Sequence, residues 1–138
     1  QYRQCLRGLY EHVANLLLGL ARAEFAAGKP ADARGTLDAL IKHNPDYRSP
    51  DGHLLYARAL EAEGQTQRAM DEYKALSGYY PGAEAAVRYA QLLRSQRQPE
   101  EARVVLKGLL EQSAVAPAHY RRTQEDWLKQ AERELGAL

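Results

Sequence analysis

Three stretches of the chain align without a gap: LARAEFAAGKPADARGTLDALIKHNP (20–45), YARALEAEGQTQRAMDEYKALSGYYP (56–81) and YAQLLRSQRQPEEARVVLKGLLEQSA (89–114). Each begins with a large apolar residue followed by Ala: Leu20-Ala21, Tyr56-Ala57 and Tyr89-Ala90. A second small residue, Ala33, Ala69 and Ala102, recurs after 36 and then 33 residues. A period in the mid-thirties means stacked supersecondary units, since one such unit cannot bury its apolar face alone.

The pattern within a repeat predicts two antiparallel helices. Small residues at Ala21 and Ala33 and their equivalents let two backbones approach, while Leu37, Tyr73 and Leu106, then Leu40, Leu76 and Leu109, fill the groove between them. Gly28 and Gly64 suit the left-handed conformation that ends a first helix, and Pro30 and Pro99 suit the first turn of a second one. Asp32, Glu100 and Glu101 place negative charge where the helix dipole favours it, and Pro45 and Pro81 stop the second helices.

This spacing of large-small, Gly, Ala, bulky residue and Pro resembles the tetratricopeptide repeat. Leu20-Ala21, Gly28, Ala33, Leu37, Leu40 and Pro45 fit the first copy, and Tyr56-Ala57, Gly64, Ala69, Tyr73, Leu76 and Pro81 the second. The third departs at Arg97, where the hairpin Gly is expected, and at Ala114, where the closing Pro is expected. The resemblance implies an all-α, right-handed superhelical solenoid of helical hairpins. Its expected parts are a remnant second helix of an earlier repeat (1–12), repeats at 14–47 and 50–83, a divergent repeat at 84–114 and a capping helix at 117–136. In that last segment Tyr120, Trp127, Leu128, Ala131 and Leu135 share one helix face. The arrangement is also similar to bacterial proteins with a short membrane segment upstream of a cytoplasmic tetratricopeptide array.

Composition narrows the function classes. The 138 residues carry 19 Lys and Arg against 18 Asp and Glu, with the signs interleaved, a weak footprint for nucleic acid. Cys5, the only cysteine, cannot form an internal disulfide, and as a side chain it reads as a small buried hydrophobe. The longest apolar stretch, VANLLLGLA at 13–21, falls well short of the roughly 20 residues that cross a bilayer, so direct membrane insertion is not expected. The chain opens on Gln1 without a leader pattern and reads as the C-terminal part of something longer. The expected location is cytoplasmic, with tethering through an upstream segment as the open alternative.

No catalytic, cofactor or metal site emerges. GKPADARGT lacks the spacing and the strand of a phosphate loop, and Pro30 follows Lys29 where a hydroxyl residue is required, so this stretch turns a corner between helices. His12, His43, His53 and His119 have no zinc spacing and read as exposed helix ends. Cys5 and His12 lie two helical turns, about 10 Å, apart on one helix, too far for a hydrogen bond. No G-x-S-x-G surrounds Ser49, Ser77, Ser95 or Ser113. Tyr56, Tyr73 and Tyr89 take repeat core positions, while Tyr47, Tyr79 and Tyr80 lie at junctions and are expected partly exposed.

A concave surface remains, which the family resemblance places on the first helix of each repeat. Two rows share that face: Leu18, Leu54 and Val87, then Arg22, Arg58 and Gln91, with Phe25 and Arg94 a turn further on. Such a groove suits a protein or peptide segment with acidic and apolar side chains. The competing reading pairs Arg22 and Arg58 with Glu24, Glu61 or Asp51. Some family members clamp the C-terminal carboxylate of heat-shock chaperones with Lys and Asn. Here Leu18, Arg22 and Leu55 occupy such positions and only Arg88 fits, which disfavours that ligand. The expected function is a non-catalytic protein-protein interaction scaffold. The alternatives are a self-associating structural module, a homo-oligomer, or a regulatory module of a longer membrane-tethered or multidomain protein.

Overall fold

The computed structural model describes residues 2–138, with side chains from residue 4 onward, so Gln1 of the expected remnant helix lies outside the described residues. Helices alone make up the regular structure of the described residues: α1 (Tyr2–Ala26), α2 (Pro30–His43), α3 (Pro50–Ala62), α4 (Thr66–Ser77), α5 (Glu84–Ser95), α6 (Pro99–Ala114), α7 (Ala118–Thr123) and α8 (Glu125–Gly136). The all-α expectation and the hairpin architecture hold. The chain divides into two compact units, Gln1–Ala69 and Met70–Leu138.

In the first unit α1 packs along α2, and α2 along α3. Ala14, Leu18, Ala21, Ala33, Leu37, Leu40 and Leu55 form its core, with Leu17, Phe25, Tyr47 and Tyr56 packed against it. Complete burial of each Leu is worth roughly 1.5–3 kcal/mol. Ala21 and Ala33 are fully buried, as the close approach of two helices requires. The α1–α2 turn carries Gly28 at φ 79, and Pro30 and Asp32 open α2 as expected. Arg34 Nε donates to Glu63 Oε2 at 2.6 Å, tying α2 to the end of α3. That bond, ahead of the burial that opposes it, raises the Arg34 pKa.

Two expectations fail in this unit. Residues 2–12 are not a separate helix: α1 is continuous over 25 residues, with no Pro to break it between Tyr2 and Ala26 and with Gly8 and Gly19 accommodated inside it. Leu20, the large residue that opens the first repeat, is exposed, while Ala21 beside it faces inward as expected. Cys5 is exposed as well, since α2 is too short to reach back and cover that part of α1. At the start of α3 the Ser49 hydroxyl accepts from the Gly52 N–H at 3.0 Å, a cap just ahead of Pro50.

In the second unit α5 packs along α6, and α8 lies against both. Tyr73, Leu76, Val87, Leu93, Leu106 and Ala131 are buried to at least 99%. The α4 helix stops at Ser77, four residues ahead of Pro81, and Ser77 turns its hydroxyl back to the Lys74 carbonyl at 2.8 Å. The 117–136 segment is two helices rather than one. Thr123 Oγ1 bonds to the Tyr120 carbonyl, and Gln124 Oε1 leaves helical company to accept from the Ala83 N–H at 2.8 Å.

Candidate protein-binding site

Helical spacing puts Arg22 and Phe25 three residues apart on one face of α1. Arg22 is exposed and Phe25 half-buried. From α3, the Arg58 guanidinium lies 4.8 Å from the centroid of the Phe25 ring. Stacking holds a planar cation over an aromatic face while leaving N–H groups at its edge for a carboxylate. Glu24 does not serve as a partner for Arg22: it accepts the Thr36 hydroxyl at 2.5 Å.

The apolar row does not line a surface. Leu18, Leu54 and Val87 are all buried. Leu18 belongs to the core of the first unit, and its Cδ1 stands 3.4 Å from where a Cβ on Gly52 would sit. Each lies three residues before the small Ala of its helix, close to one full turn, which is why these side chains turn inward with it.

In the second unit Gln91 and Arg94 are already engaged. Gln91 Nε2 donates to Glu134 Oε1 at 3.3 Å, and Arg94 Nη1 donates to Glu134 Oε2 at 3.1 Å. Gln130 Nε2 adds a third bond at 2.8 Å. Burial alone would raise the Glu134 pKa, but the bonds from Gln130, Gln91 and Arg94 outweigh it and hold the carboxyl below its usual range. Arg88, the one residue that fitted a chaperone-tail clamp, donates to Glu84 at 2.7 Å and stacks 5.3 Å from the Trp127 ring. Sequence reasoning missed these α5–α8 contacts. Gln130 and Glu134 at i and i+4 and Trp127 one turn earlier were visible as one helix stripe, but no local signal said which helix it would meet.

Among the described residues no group of three or more His, Cys, Asp or Glu side chains could hold a metal ion. An open cleft of about 890 Å³ in the first unit lies between the N-terminal half of α1, through Leu6 and Tyr10, and the α2–α3 connection, through Pro45 and Tyr47. Tyr47 bonds from there to Asn15 at 3.1 Å. No described helix is long and apolar enough to cross a membrane.

Helical hairpins whose first helices end at Gly28, Gly64 or its substitute Arg97 define a helical-repeat protein. Residues 18–84 match the model of the tetratricopeptide repeat family, and the all-helical fold is tetratricopeptide-repeat-like. The fold is similar to that of SycD, the Yersinia enterocolitica type III secretion translocator chaperone, at TM-score 0.79 and 20% identity over 97% of this chain and 96% of that one. It is also similar to PcrH in complex with the chaperone binding region of PopB, at TM-score 0.75 and 19% identity over 91% and 96%. SycD in complex with a peptide of the translocator YopD gives TM-score 0.73 and 20% identity over 91% and 92%. No curated protein matches the chain.

Proposed function

We propose that the chain is a non-catalytic scaffold that binds an acidic and apolar segment of another protein. The observation that carries this reading is the Arg58 guanidinium stacked on Phe25, beside the exposed Arg22, on successive first helices. Arg22 and Arg58 supply the forks for carboxylates, and Phe25 supplies apolar contact. Because Leu18 and Leu54 are buried, they support the site from beneath rather than touch the partner. In the third repeat the equivalent Gln91 and Arg94 hold a helix-borne carboxylate, Glu134, which supports acidic side chains as the ligand chemistry of these positions. SycD and PcrH, whose folds are similar, have been solved with a peptide of the translocator YopD and with the chaperone binding region of PopB respectively, and fold-level analogy supports protein segments as the class of ligand.

The test is fluorescence anisotropy with labelled amphipathic peptides of acidic, neutral and basic polar face. Acidic peptides should bind, and the Arg22→Glu, Arg58→Glu double variant should weaken them at least tenfold. Equal binding by that variant, or preference for basic peptides, would sink the reading.

A further inference from the structure

Besides the face it buries, α1 carries a second apolar stripe. Leu6, Leu9, Val13, Leu16 and Leu20 recur at alternating spacings of three and four residues, the spacing of a coiled-coil seam. The buried face of the same helix, Ala14, Leu18 and Ala21, lies about a third of a turn away, so packing the unit's core does not cover the stripe. Leu9, Val13, Leu16 and Leu20 are 54%, 40%, 61% and 50% exposed. Leaving four large apolar side chains in a row in water is costly, and monomeric surfaces scatter them singly.

We infer that this stripe pairs with its own copy, so that two chains associate through α1 about a two-fold axis. A seam on a single straight helix is self-complementary, which an isologous contact requires. Its described flanking positions, Cys5, His12 and Gly19 on one side and Tyr10 and Leu17 on the other, carry no Lys, Arg, Asp or Glu. Nothing there repels a second copy, and nothing selects a partner of opposite charge. Gly19 adds room for close approach, with no atom within 4 Å of where a Cβ on it would sit. The four exposed side chains and Tyr10 offer roughly 100 Å² each, so a pair of copies covers about 1,000 Å², the size at which specific interfaces begin. The β-branched Val13 set between Leu9 and Leu16 fits two strands.

This association stands on different residues from the peptide site, and the two are separable by experiment. Light scattering on the chain at about 0.1 mM should return twice the 15.5 kDa chain mass. The Leu9→Glu, Leu16→Glu variant should return the single-chain mass with unchanged helical circular dichroism, since both positions are exposed and leave the core intact. The Arg22→Glu, Arg58→Glu variant should keep the doubled mass even where it loses peptide. A nitroxide on Cys5, the only cysteine, should show dipolar coupling in the parent chain and lose it in the seam variant. A single-chain mass for the parent, or a doubled mass that survives the seam substitutions, overturns the inference.

Discussion

Arg94 in α5 donates to Glu134 in α8 at 3.1 Å, joining residues 40 apart in the chain. The bond ties α8 to the helix whose face it covers. Arg94 is nearly half exposed, which screens the charge, so Arg94→Ala should cost about 0.5–1 kcal/mol. Glu134→Gln keeps the shape and leaves Gln91 and Gln130 with a neutral acceptor, for a loss of similar size. A double-mutant cycle by urea denaturation should return a coupling energy between the two; additive costs would show that the pair contributes nothing of its own.

The same carboxylate makes stability depend on pH. Its folded pKa lies below the ordinary value, because the bonds from Gln130, Gln91 and Arg94 overcome the effect of burial. A depressed folded pKa adds stability that is fully present above the unfolded value of about 4.3 and is lost as pH falls through the folded value. Trp127, the only tryptophan, sits on α8 against Arg88 and reports the docking of that helix by fluorescence. Urea midpoints read from Trp127 should fall on acidification below the carboxylate range, and Glu134→Gln should flatten that part of the curve. A variant with the parent's full acid dependence would assign the effect to other groups.

The hairpins were legible in the sequence because their determinants are local. Gly28, Pro30 and Asp32 each act within a turn of themselves, and the pairing of Ala21 with Ala33 needs only the helix period. The surface was less legible. One residue of error in helical phase is 100° around the axis, enough to turn Leu18 and Val87 from groove to core. Contacts such as Gln124 with Ala83 are set by where α8 docks, which no spacing within 117–136 encodes.

Arg97 occupies the turn position filled by glycine in the other repeats. Its φ is 60, against 79 at Gly28 and 81 at Gly64, so all three turns use the left-handed region and only one does so with a side chain. That conformation costs a non-glycine residue about 1–2 kcal/mol. Arg97→Gly should therefore stabilise the chain by about 0.5–1 kcal/mol after the unfolded chain's gain in freedom is subtracted. Gly64→Ala should do the reverse, losing about 1 kcal/mol. Differential scanning calorimetry decides it: the Arg97→Gly melting temperature should rise by a few degrees. A fall would mean that the Arg97 side chain makes contacts worth more than the strain.

The two faces of α2 set up the sharpest contrast. Ala33 is fully buried where α2 meets α1, while Ile41 on the same helix is more than half exposed. Adding bulk at the contact forces the helix backbones apart, so Ala33→Leu should cost about 1–3 kcal/mol although it inserts a better-buried hydrophobe. Leu37→Ala, one turn along on the inward face, leaves a cavity and should cost about 2–5 kcal/mol. Ile41→Ala, at an exposed site, should stay within about 0.5 kcal/mol. Equilibrium denaturation of the three variants in one urea series orders them directly. If Ala33→Leu were neutral, the small residues that mark the repeat would not be setting the distance between its helices, and the reading of Ala21, Ala57 and Ala90 as contact residues would fall with it.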